Sequence, residues 1–88
     1  MNRVQVILTL DMENLPSDFS ELLKLEQAVV DDWKTQGFLE HLFLKEAKNG
    51  AVLIFKDVDE EQVKILMHTL PFFKIKKSVE YFNLIQQF

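Results

Sequence analysis

The sequence predicts an α+β domain in which two helices pack on one antiparallel sheet. Three observations carry that expectation: four strand-like apolar segments, two capped helical segments between them, and an Asn-Gly hairpin signal at the centre. Arg3 to Leu10 (RVQVILTL) is rich in Val, Ile and Thr and sets Val4, Val6, Leu8 and Leu10 on one face. Asp11 to Ser17, with Asn14 and Pro16, forms a loop. Ser17 or Asp18 then caps a helix, with Glu21 in the capping-box position relative to Asp18. That helix runs to about Gln36, and Gly37 supplies the left-handed residue that ends it.

Phe38 to Lys45 (FLEHLFLK) predicts the second strand, and Asn49-Gly50 favours a type I′ turn. Ala51 to Val58 is the third strand. Asp59 and Gln62 form a capping pair for a second helix, whose apolar stripe is Val63, Leu66, Met67 and Leu70. Pro71 ends it, because the residue before a proline is pushed out of the α region. A basic connection leads to a fourth strand, Ser78 to Ile85. The order β-α-β-β-α-β is the ferredoxin-like pattern, a four-stranded antiparallel sheet with both helices on one face.

Composition narrows the function. The 88 residues allow one domain spanning 1–88, with no repeat or linker. Ten basic against fourteen acidic residues give a net charge of −4, which argues against a nucleic-acid partner. Charge interrupts every apolar run, so no membrane span is expected. The absence of cysteine removes a disulfide framework and fits a reducing, cytoplasmic setting, and no signal peptide precedes Arg3. A chain this short buries only about 60–65% of its unfolded surface, yet it carries eight Phe and a Trp. Ala51 to Phe55 is apolar on both faces, and Ile7, Phe82 and Leu84 lie opposite their strands' core rows. Two helices cover one face only, so a homodimer pairing sheet to sheet is expected.

One residue breaks the helical pattern. At about 100° per residue, Phe19, Leu22, Leu23, Val29, Val30 and Trp33 share a face centred on Glu26. A lone carboxylate there is costly unless paired, hydrogen-bonded or protonated. Three arrangements accommodate it: Glu26 reaches a Lys, Arg3 or backbone donors at the sheet edge; the helix is rotated and buries Leu25 instead; or Glu26 lines a cavity with a raised pKa suited to proton transfer. His41 is expected on the face of Leu39 and Phe43, against a packed layer, and His68 on the polar side of its helix. The two histidines have no ligand spacing, so no metal site is expected. Lys74, Lys76 and Lys77 read as a solvated connection or as an anion-attracting rim. No Gly-rich phosphate loop or Gly-x-Ser-x-Gly elbow is present.

The sequence resembles the muconolactone isomerase family of the dimeric α+β barrel superfamily from about Arg3 to Leu84. The resemblance rests on Leu23-Lys24-Leu25-Glu26, Gln36-Gly37, Glu40-His41-Leu42-Phe43, Phe55-Lys56-Asp57-Val58, Leu70-Pro71-Phe72-Phe73 and Glu80-Tyr81-Phe82-Asn83-Leu84. It implies a sheet-to-sheet dimer, in some members built into a larger ring, and a ligand cavity between sheet and helices or near the interface. It also implies cofactor-free movement of a double bond in a small unsaturated lactone or other carbonyl compound, with Glu26 as the acid/base. The family's tyrosine, asparagine and histidine around the ligand align with Gly50, Val52 and Lys64. Lys64, His41 and Arg3 are therefore the candidates to steady an oxyanion. At the level of sequence, an isomerase, a non-catalytic ligand-binding or structural module and a cofactor-independent monooxygenase all remain open.

Overall fold

The computed structural model describes residues 2–88. Strand β1 (Asn2–Leu10) leads into helix α1 (Phe19–Gln36), then strands β2 (Leu39–Leu44) and β3 (Gly50–Lys56), helix α2 (Glu60–His68), a 3-10 helix (Pro71–Ile75) and strand β4 (Lys76–Ile85). The strands align in the order β2-β3-β1-β4, every neighbouring pair antiparallel. This is the ferredoxin-like α+β arrangement that the sequence pattern predicts.

The core sits between the sheet and the two helices. Val4, Val6, Leu8 and Leu10 alternate inward along β1, as their period-two spacing requires. Leu53 and Phe55 of β3 join them, under Leu22 and Trp33 of α1 and Val63 and Met67 of α2. Trp33 packs at 5.7 Å from Phe55 and 6.0 Å from Phe38, ring centre to ring centre, which ties α1 to the sheet.

Local rules account for the helix ends. Asp59 accepts from the Gln62 N–H at 2.8 Å while the Gln62 side chain accepts from the Asp59 N–H at 3.0 Å, completing the expected capping box. Gly37 closes α1 at φ 91°, donating its N–H to the Trp33 and Lys34 carbonyls. The capping box expected at Asp18 does not form, because Asp18 makes no side-chain cap bond; its carbonyl starts the helix instead.

Two turns depart from expectation. The β2–β3 connection is longer than a two-residue type I′ turn. The Lys48 N–H returns to the Lys45 carbonyl at 2.8 Å, and the positive φ falls on Lys48 rather than Asn49. Gly50 is needed for another reason: a Cβ at that position would overlap the Leu8 carbonyl oxygen of the neighbouring strand. The basic connection before β4 is also more ordered than expected, with Pro71 at the start of a 3-10 turn and Leu70 held extended ahead of it.

Among the described residues, none forms a covering layer on the other face of the sheet. Register places Ile7, Val52, Ile54, Phe43, Phe82 and Leu84 on it. Phe43 is 56% and Phe82 43% exposed. At one edge, Arg3 grips Glu40 with two bonds, Nε to Oε1 at 2.7 Å and Nη2 to Oε2 at 3.1 Å.

Candidate functional site

Glu26 is the buried charged residue of the core, 9% exposed on the inner face of α1. Leu25 beside it is 59% exposed, so the helix is not rotated to bury Leu25. The Glu26 side chain finds a donor 46 residues away: the Phe72 backbone N–H donates to Oε1 at 3.0 Å in a buried setting. That donor exists because Phe72 sits in the first turn of the 3-10 helix, where N–H groups lack partners within the helix. Of the arrangements that the sequence left open, a backbone donor and a cavity-lining carboxyl are both realised, with the donor in the 3-10 turn rather than at the sheet edge.

The carboxyl opens onto a cleft between α1 and the β1–β3–β2 part of the sheet, about 820 Å³ in volume. Its walls include Leu8 and Leu53 from the sheet, Phe19, Leu23 and Val30 from α1, and Phe72. Phe19 and Phe72 stack at 5.5 Å with planes 11° apart. Leu42, Leu44 and Met12 border the opening and are exposed. The remaining polar side chains on the cleft are Gln27, Asp31 and Lys48, all exposed.

Burial pushes the Glu26 carboxyl above the usual carboxylate range, and the Phe72 N–H draws it part of the way back. The result is an acid that holds its proton to a higher pH than a surface glutamate. With Oε1 engaged by the backbone, Oε2 is the oxygen free to exchange a proton with a molecule in the cleft.

The other residues selected from the sequence are not assembled around Glu26. A register shift between Leu39 and His41 leaves Leu39 in the core and turns His41 outward. His41 therefore does not share a face with Leu39 or point into a packed layer. It lies on the uncovered face beside Phe43, 58% exposed, with Glu40 at 3.9 Å. Lys64 on α2 pairs with Glu60 at 3.0 Å and lies over the Tyr81 ring, outside the cleft. Arg3 is committed to Glu40, whose carboxyl this hydrogen bond holds below the usual range. Lys74, Lys76 and Lys77 do not border the cleft either, and Lys76 covers the Phe73 ring. Of the further polar groups on the cleft, Gln27, Asp31 and Lys48, none was a candidate from the sequence. Gln27 follows Glu26 directly on α1, and only folding brings the β2–β3 loop opposite it.

Among the described residues no cluster of three His, Cys, Asp or Glu could hold a metal ion. No described helix is long and apolar enough to cross a membrane.

The fold has relatives among solved structures. A crystal structure of an antibiotic biosynthesis monooxygenase matches with TM-score 0.63 and 14% identity, over 98% of each chain. A structured domain of Caenorhabditis elegans BMY-1 matches with TM-score 0.54 and 18% identity, over 100% of this chain and 98% of the other. At such identities the likeness extends to the ferredoxin-like fold and not to the chemistry. No protein-family model matches the chain, and no curated protein matches it by sequence.

Proposed function

We propose that this chain is a cofactor-free proton-transfer protein of the dimeric α+β barrel type, acting on a small unsaturated lactone or other carbonyl compound with Glu26 as its acid/base. One observation carries the reading: a buried carboxyl, held at Oε1 by the Phe72 N–H, lines a largely apolar cleft. The resemblance to muconolactone isomerases supplies the reaction type. The Glu26 carboxylate takes a proton from the carbon next to the substrate carbonyl, leaving a dienolate. The resulting acid returns that proton to the far carbon, and the double bond moves with no net change in atoms or electrons. Gln27 and Lys48 are the donors bordering the cleft that suit the developing oxyanion.

The assembly belongs to the same reading. A homodimer closing the uncovered sheet face, in a larger ring where further contacts exist, removes Phe43, Phe82 and Leu84 from water. The chain then works as a soluble cytoplasmic protein without nucleic-acid or membrane partners.

A second reading has its own support. His41, Lys64 and Arg3 all lie off the cleft, which favours a binding module that holds a ligand without turning it over. A β,γ-unsaturated butenolide in D2O, followed by proton NMR, separates the two. The proton-transfer reading expects double-bond migration with deuterium uptake, at least a hundredfold slower in Glu26→Gln. Equal rates in both proteins, or no migration above buffer, overturn it. Binding without migration leaves the module, and oxygen uptake with a phenol would instead favour a monooxygenase.

A further inference from the structure

The cleft also limits what it takes in. Its volume of about 820 Å³ falls in the ~300–1,000 Å³ range of sites for drug-sized molecules and far exceeds the needs of a single five-membered ring. Its depth is hydrocarbon apart from Glu26, and Phe72 already occupies one of that carboxyl's oxygens. The charged groups bordering it are Glu26, Asp31 and Lys48, two acids against one base, with the base exposed on a loop. An anionic ligand would bring its charge towards Glu26 with only Lys48 to offset it. A cation would lose its hydration for a carboxyl that already gives one oxygen to the Phe72 N–H.

We infer that the cleft between α1 and the sheet selects an uncharged hydrophobic compound of two or three rings carrying one hydrogen-bonding group, which meets Glu26 Oε2. This rests on the cleft being the ligand site proposed above and not on proton transfer taking place there. It narrows that proposal towards larger uncharged carbonyl compounds, because a carboxylate on the ligand would meet Glu26 and Asp31 with only Lys48 to offset it.

A matched pair of fluorescent probes tests the inference with the full chain. N-phenyl-1-naphthylamine is neutral, and 8-anilino-1-naphthalenesulfonate has the same skeleton with a sulfonate added. At pH 7.5 the neutral probe should bind one per chain and at least tenfold more tightly than the sulfonate. Glu26→Gln should narrow that ratio several-fold by removing the buried acid, and Lys48→Glu on the exposed loop should widen it. Val30→Trp, which projects into the cleft, should weaken the neutral probe tenfold or more while circular dichroism stays unchanged. The inference fails if the sulfonate binds within twofold of the neutral probe, or if a naphthylalkylammonium cation binds more tightly than either. It fails too if Val30→Trp leaves the neutral probe unaffected, or if the folded protein binds no probe because a second copy fills the cleft. Failure of the butenolide experiment alone leaves these results standing. Butenolide turnover without neutral-probe binding refutes the ligand class and keeps the proton transfer.

Discussion

The two faces of the sheet are built from the same strands and solve different problems. On the helix side, alternate residues of β1 and β3 are sealed by α1 and α2, and Val6 and Phe55 are 0% exposed. On the other side, the intervening residues of those strands meet no layer, and phenylalanines on β2 and β4 remain in contact with solvent. The covered face is complete except along one flank, where Leu8, Leu42, Leu44 and Leu53 of the sheet and the middle of α1 border the cleft that holds Glu26. Apolar character therefore has two meanings in one small sheet. Where helices cover it, it is core; where nothing does, it stays open to solvent.

Substitutions on the two faces should separate these roles. Phe55→Ala removes a ring packed against Trp33 and Phe38, and should cost about 3–5 kcal/mol in urea denaturation. An equal loss from Phe82→Ala in a dilute monomeric sample would erase the distinction between the faces. Phe82→Asp should instead act on assembly, weakening self-association more than tenfold, or about 1.4 kcal/mol, in sedimentation equilibrium. A wild-type chain that stays monomeric at micromolar concentration would remove the reason for treating that face as an interface.

Smaller effects test how the covering layer is fixed. Asp59→Ala should cost about 1 kcal/mol by breaking the capping box of α2, whereas Asp18→Ala should have little effect on helix capping, since that side chain makes no cap bond. Thermal melts of the two variants give the comparison directly.

The last contrast is one of pH. The folded-state pKa of Glu26 lies above its ordinary value of 4.5 because burial disfavours the charged form. The folded protein therefore binds the Glu26 proton more tightly than the unfolded chain does, and ionisation opposes folding. This penalty is absent below the unfolded pKa, grows as pH rises from there through the folded pKa, and is full above it. Glu26→Gln keeps an acceptor for the Phe72 N–H and carries no charge, so it should be more stable than wild type at pH 8. That advantage should shrink as pH falls and vanish near pH 4. A difference that stays constant across this range would mean that Glu26 does not titrate differently in the folded state.

Much of this was readable along the chain. Gly37 and the Asp59–Gln62 pair mark helix ends by rules that act within a few residues, and both stand as expected. Glu26 was conspicuous because helical periodicity sets it among apolar residues. Its donor was not, because the Phe72 N–H comes from a segment read as a basic connection. Pro71 followed by two phenylalanines offered the clue, since proline favours the first position of a helix. His41 was misplaced for a related reason. Strand alternation assumes a regular pleat, and the irregularity at Glu40 reverses the sides that follow it.

The sequence by itself determined the order of elements, the inward row of β1, the capped start of α2 and the anomaly of Glu26. Each depends on spacing along one segment and on the backbone preferences of a few residues. Only the tertiary structure decided that Phe72 holds the carboxyl, that Gln27 and Lys48 border its cleft, and that His41 and Lys64 stand outside it. Those placements join residues far apart in the chain, and they follow from how α1 and the 3-10 turn settle on a twisted sheet, which no local pattern encodes.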